Sequence, residues 1–145
     1  MTSRSDNSSN SNLKCNSEYL RILSWNIHDS NDSITGSKLS DKTFIDTIAQ
    51  CDIICLQETK RSLKIPGFKC LNSNRQDSRS GGLCIGVKHG IRSLITPVST
   101  KNFSSDIQAI RISRKLSSLS KEILLVNVYD SPVNSSYKQK LIANG

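Results

Sequence analysis

Ile53-Ile54-Cys55-Leu56-Gln57-Glu58-Thr59 is an apolar run that ends abruptly in an amide, a carboxylate and a hydroxyl. A continuous apolar stretch of this length predicts a strand buried on both faces. Leu23-Ser24-Trp25-Asn26 is a second run built the same way. The carboxyl end of a buried strand opens into a crevice, where a polar side chain can face a ligand from a fixed backbone. Glu58 is therefore the first candidate for a metal ligand, and Asn26 is its expected neighbour.

Working outward, the chain between these runs divides into a loop and a helix. Residues 27–38 hold Asp29, Asn31, Asp32, Ser33 and Gly36 and read as loop. Ser40 is the predicted N-cap, with Asp41 at the positive end of the dipole and Leu39 placed to staple onto Phe44. Thr43 at the third helical position leaves the capping box incomplete. Phe44, Ile45, Ile48 and Ala49 form the apolar face, and the helix should end near Gln50. Strand, helix and strand within about forty residues predict a right-handed crossover joining two parallel strands.

Downstream the helical period gives way to short strands, expected at Phe68 to Cys70, Leu83 to Lys88, Arg92 to Ile95, Ile107 to Ile112 and Glu122 to Tyr129. In the fourth of these neither face is cleanly polar. The last is nearly all apolar and is expected to be central. Gly81-Gly82 marks a close backbone approach. Ser136 to Ala143 reads as the opening of another helix, with Tyr137, Leu141 and Ile142 as its apolar positions. Ser and Asn fill eight of the first twelve positions, so residues 1–18 are expected to be a disordered tail and 19–145 a single domain.

The net charge is +8, from 20 Lys and Arg against 12 Asp and Glu. Arg4 and Lys14 balance Asp6 and Glu18, so the whole excess lies after residue 20. Such a basic body suits a polyanionic partner, although simple solubility explains it equally well. The five cysteines are odd in number and match no zinc spacing. Cys55 and Cys84 lie in apolar runs, where a thiol acts as a small hydrophobe. No disulfide partner is expected, and the chain is placed in a reducing, intracellular compartment, nuclear or cytoplasmic, and not secreted. Asn-x-Ser triplets at Asn7, Asn31, Asn102 and Asn134 follow no apolar leader and are taken as polar loops. No apolar run is long enough to cross a membrane.

Trp25-Asn26, Gln57-Glu58-Thr59, Ser80-Gly81-Gly82 and Asn127-Val128-Tyr129 occur in this order, each beside a predicted strand. The ordered set resembles the endonuclease/exonuclease/phosphatase superfamily over about residues 20–140. Leu23 to Ile27, Cys55 to Thr59, Gly81 to Val87 and Asn127 to Tyr129 are in the style of the endonuclease domain of non-LTR retrotransposons. The resemblance implies an α/β (α+β) fold, a four-layer α/β sandwich of two mixed β-sheets flanked by helices, of which this chain carries the N-terminal half. It also implies a Mg²⁺-dependent phosphodiesterase, with Mn²⁺ as an alternative ion and the DNA phosphate backbone as partner. Glu58 becomes the metal ligand, Asn26 a weaker ligand that positions metal and phosphate, and Tyr129 a phosphate contact. A lone glutamate suits Mg²⁺, which leaves most of its shell to water and phosphate oxygen.

The family's Gly-Asp-Phe-Asn and Ser-Asp-His segments do not occur in these 145 residues. They supply the group that activates water and a phosphate-contacting histidine, so the chain alone is expected to be an inactive fragment. The Pro132 to Asn134 step is offset from the family's pattern, and no site residue is placed at Asn134. His28 is two residues from Asn26 and is a lesser candidate for a substrate contact, whereas His89 is expected at the surface. Trp25 is expected in the core. Lys60, Arg61, Arg75 and Arg79 are read as a charged rim or a phosphate track. A non-catalytic nucleic-acid-binding remnant and an inositol or lipid phosphatase of the same superfamily remain as alternatives.

Overall fold

The computed structural model describes residues 19–32, 36–74, 81–116 and 120–130. The N-terminal tail, the segment at Ser136 to Ala143, Ser80, Arg75, Arg79 and Asn134 lie outside the described residues.

The run that ends in Glu58 forms β4 (Ile53–Gln57), and every residue from Ile53 to Leu56 is buried. It pairs in parallel with β1 (Ile22–Asn26), so that Asn26 stands beside Gln57. The chain between them makes a small antiparallel pair, β2 (Asn31–Asp32) and β3 (Gly36–Ser37), a 3-10 turn at Lys38–Ser40, and helix α1 (Lys42–Ala49). On its other edge β4 pairs antiparallel with β6 (Leu83–Lys88), which in turn pairs with β5 (Phe68–Ser73). This first sheet is mixed, in the order β1-β4-β6-β5.

The second sheet contains β7 (Ile95–Val98), β8 (Ile107–Ile112) and β9 (Ile123–Val128) in sequential antiparallel order. Among the described residues it is therefore antiparallel rather than mixed. Two apolar layers follow from the alternation of β4. Ile53 and Cys55 point at the second sheet and pack with Ile85, Val87, Ile91, Ile110, Ile112 and Leu116. Ile54 and Leu56 point the other way, toward Phe44 and Ile48 of α1 and Leu63, Ile65, Phe68 and Cys84. The result is helix, sheet and sheet in layers, the α/β sandwich expected, with its second helical layer not represented in the described residues.

Several local expectations shift. The N-cap of α1 is Asp41, not Ser40: its carboxylate accepts from Thr43 N at 2.9 Å and Phe44 N at 3.4 Å. Ser40 closes the preceding 3-10 turn instead, and Leu39 still packs beside Phe44. Ala49 is exposed, so Phe44 and Ile48 carry the buried face. Residues His89–Leu94 form a 3-10 helix before β7, where a strand was expected from Arg92. Ile91 and Leu94, three apart, share one side of that helix and join the layer between the sheets. β5 continues to Ser73, three residues beyond the expected end.

β9 is an edge strand among the described residues, not a central one. Leu124, Val126 and Val128 lie on its outer face, 58%, 45% and 54% exposed. Trp25 is 38% exposed and meets Phe44 with ring centroids 5.2 Å apart. It covers the rim of the helical layer rather than filling it, because β1 is an edge strand of the first sheet. Cys51, Cys55, Cys70 and Cys84 are free thiols, and no described helix is long and apolar enough to cross a membrane.

Gly86, in the middle of β6, faces the helical layer. A Cβ there would lie 2.7 Å from Ile54 Cγ1 and 2.9 Å from Ile54 Cδ1. Gly86→Ala is expected to cost about 1–2 kcal/mol, the usual size of a small overpacking defect. A denaturant midpoint equal to that of the unsubstituted chain would contradict this packing.

Candidate functional site

The site lies where β1 and β4 end side by side and β9 ends across from them. Glu58 leaves β4 with φ 56°, in the left-handed region that a β-carbon disfavours. Its side chain is held from two directions. Tyr129 Oη donates to Oε1 at 2.5 Å, and His28 Nδ1 stands 3.1 Å from Oε2. Asn26 Oδ1 accepts from the backbone N–H of His28 at 3.0 Å, and its side chain favours the ionised form of Glu58. Asn26, Glu58 and Tyr129 are thus brought together from positions as far as 103 residues apart in sequence.

Backbone strain concentrates in the same two loops. The described non-glycine residues with positive φ are His28 at 61°, Asp29 at 152°, Glu58 at 56° and Lys60 at 60°. Each such conformation costs on the order of 1–3 kcal/mol and persists only where its surroundings over-determine it. Here the surroundings are visible. Ser30 N donates to Thr59 O at 3.3 Å, tying the loop after β1 to the residue following Glu58. Thr59 N and Lys60 N donate to Gly82 O and Gly81 O, at 3.2 and 2.9 Å. Gly82 must be glycine at φ 90°, since a Cβ would meet Thr59 Oγ1 at 2.6 Å and Lys60 N at 2.8 Å. The expected close approach of the glycine pair is thus made directly against the residues that follow Glu58.

Beneath the site runs a polar chain between the sheets. Gln57 Nε2 donates to Asn127 Oδ1 at 2.8 Å and to Ser24 Oγ at 3.1 Å. Asn127 Nδ2 donates to Leu56 O at 3.2 Å and Gln108 Oε1 at 3.3 Å, and Gln108 Nε2 to Leu71 O at 2.8 Å. Asn127 is 3% exposed. Buried amides are costly unless paired, and paired they fix one arrangement. Gln57 adjoins Glu58, and Asn127 is two residues before Tyr129 on the same strand, so this chain sets the phenol against the carboxylate. The sequence reading used Gln57 and Asn127 as landmarks only. Their sign was a polar residue on the inward register of an apolar strand.

The carboxyl of Glu58 titrates below its ordinary value, chiefly because the Tyr129 hydroxyl donates to the ionised form. Burial acts the other way, and Asn26 and His28 add to the lowering. A depressed carboxyl stabilises the fold above its unfolded pKa and loses that contribution as pH falls through the folded value. Tyr129→Phe should therefore move the Glu58 carboxyl upward in an NMR titration of the side chain. It should also reduce the loss of stability on acidification below about pH 4.3. An unmoved titration would show that the phenol does not govern this group.

The remaining sequence candidates separate cleanly. Asp29 is engaged by Arg61 at 3.3 Å and Lys60 at 3.9 Å, so these two bases form a rim around a carboxylate. Its own carboxyl is lowered against the effect of burial by the Asn31 N–H and these cations. His89 is exposed and begins the 3-10 helix at the far end of β6 from Leu83, which is the end beside Gln57. His28 does reach the site, which its sequence position allowed but did not require.

The fold and these clustered groups define an α/β sandwich protein with a polar site at one end of its facing sheets. The chain belongs to the Endonuclease/Exonuclease/phosphatase family, whose model matches residues 23–135. That stretch contains Asn26, Glu58 and Tyr129. Among solved structures, the catalytic domain of Xenopus laevis APE2 aligns at 20% identity with a TM-score of 0.48, covering 84% of this chain and 48% of that one. The chain spans about half the length of that domain. No curated protein matches it.

The donor set is compatible with a hard divalent cation. Glu58 offers a carboxylate that stays ionised, and Asn26 an amide beside it, both oxygen donors with access to solvent. Among the described residues no three His, Cys, Asp or Glu side chains converge. A carboxylate with one amide beside it suits an ion that keeps most of its own water.

Proposed function

We propose that this chain is the N-terminal part of a Mg²⁺-dependent phosphodiesterase, a DNA endonuclease of the retrotransposon type. The observation that supports it most is the placement of Glu58: an ionised carboxylate, fixed by a strained backbone, with Asn26 and Tyr129 on either side. Glu58 would hold the ion, with Asn26 as a weaker second ligand. When bound, the ion supplies charge stabilisation at the phosphate and at the departing oxygen.

The chain's own residues do the positioning. Asn26 spans the loop after β1 and the carboxylate, so it orients both. Tyr129 carries a hydroxyl donor suited to a phosphate oxygen next to the carboxylate. The Gln57–Asn127–Gln108 chain keeps that hydroxyl in place from below. Activation of the attacking water is assigned to the Gly-Asp-Phe-Asn segment and a further phosphate contact to Ser-Asp-His, neither of which occurs in these 145 residues. The chain alone is therefore proposed to be inactive, and a protein carrying those segments as well to be the enzyme.

Nicking of supercoiled plasmid with Mg²⁺ tests this. A protein carrying all of these segments should nick, and should stop nicking on chelation. Robust, Glu58-dependent cleavage by the present chain would overturn the requirement for the missing segments. The net charge of +8 favours a second reading, a non-catalytic nucleic-acid-binding remnant. Salt-dependent DNA binding indifferent to Glu58→Gln, without cleavage in the longer protein, would select it.

A further inference from the structure

His28 is the residue at this site whose chemistry departs from an oxygen-only cation site. Its Nδ1 lies 3.1 Å from Glu58 Oε2, the carboxylate oxygen not taken by Tyr129. The ring is mostly solvent-facing, 80% exposed against 19% for the Glu58 side chain, so it is open to a hydrated ion. The backbone that carries it is nevertheless fixed. The residue is held at φ 61°, its N–H is tied to Asn26 Oδ1 at 3.0 Å, and Ser30 pins the loop to Thr59. A non-glycine residue kept in this conformation beside a carboxylate indicates a side chain whose position is selected.

Resting on the cation site of the proposed function, we propose that His28 is a further donor to that ion and biases the site toward a first-row transition ion, with Mn²⁺ as the probe, over Mg²⁺. Mg²⁺ demands oxygen ligands and binds imidazole poorly, whereas Mn²⁺ and later first-row ions accept mixed oxygen and imidazole shells. Without an ion, Nδ1–H donates to Oε2; a bound ion would take the place of that hydrogen, leaving the ring hydrogen on Nε2 and the Nδ1 lone pair and Oε2 facing the same ion. Asp29, the neighbouring carboxylate, is already paired with Arg61 and Lys60, so the imidazole is the better-placed extra donor.

Electron spin-echo modulation of Mn²⁺ bound to this chain decides the matter, because it detects a directly bound nitrogen without any catalytic assay. The unsubstituted chain should show ¹⁴N modulation. His28→Asn, chosen because Asn tolerates positive φ, should abolish it. That variant should also weaken Mn²⁺ binding by about tenfold, while Mg²⁺ affinity changes by less than about twofold. Mn²⁺ whose binding needs Glu58 but which shows no ¹⁴N modulation would overturn the role of His28 and leave the cation site standing. Equal losses of Mn²⁺ and Mg²⁺ affinity in His28→Asn would overturn the selectivity. Mn²⁺ affinity untouched by Glu58→Gln would overturn both the cation site and the proposal.

Discussion

In a protein that contains this chain together with the two missing catalytic segments, Glu58→Gln should lower kcat for phosphodiester cleavage by about a thousandfold. The substitution keeps the shape of the side chain and its contact with Tyr129 but removes the charge. A metal's electrostatic contribution to such a transition state is several kcal/mol, and about 4 kcal/mol corresponds to that factor. The fold should survive, since Glu58 is partly exposed and the strained backbone is held by the Thr59 and Lys60 bonds to Gly82 and Gly81. Single-turnover kinetics beside a denaturation curve separates the two effects. A rate within tenfold of the unsubstituted protein would remove Glu58 from the chemistry.

Asn127→Leu should produce the largest loss of stability, about 3 kcal/mol. The side chain, 3% exposed, bonds to Gln57 Nε2, Gln108 Oε1 and Leu56 O in the space between the sheets. Leucine of similar volume fills the space but leaves Gln108 Oε1 without its donor and removes one of the acceptors of Gln57 Nε2, and an orphaned buried group costs about 1–3 kcal/mol. The denaturant midpoint should fall with little change in slope. Tyr129, two residues along β9, should lose its fixed distance to Glu58, which would appear as an upward move of the Glu58 carboxyl titration. A midpoint within about 0.5 kcal/mol of the original, the range of ordinary surface substitutions, would mean that the amide chain does not brace the site.

Much of the frame was legible because hydrophobic periodicity is a local property. β4, β6, the face of α1 and the parallel pairing of β1 with β4 follow from apolar runs and one capped helix. Gly82 was legible because only glycine serves where backbone meets backbone. What the sequence concealed depends on contacts between distant segments. β9 reads as a central strand from its composition, yet centrality is set by neighbours, and among the described residues it has one. The cap of α1 moved to Asp41 because the 3-10 turn before it consumed Ser40. Arg92 to Leu94 reads as the start of a strand because the apolar residues around it fit either period in so short a stretch. At the site, Asn26 and Glu58 are candidates by their places at strand ends, and Tyr129 by the family resemblance. The amide chain through Gln57, Asn127 and Gln108 was not legible, since nothing local says that three inward polar residues on separate strands will find one another. Nor could spacing reveal that His28 would meet Glu58, thirty residues on.

Anomalous diffraction from a crystal of this chain soaked in Mn²⁺ is the most direct test of the cation site. The account predicts a peak bonded to a carboxylate oxygen of Glu58 at about 2.0–2.2 Å, with water completing most of the shell. A peak bonded elsewhere on the chain, with the Glu58 carboxylate still bound only to Tyr129 and His28, would contradict it.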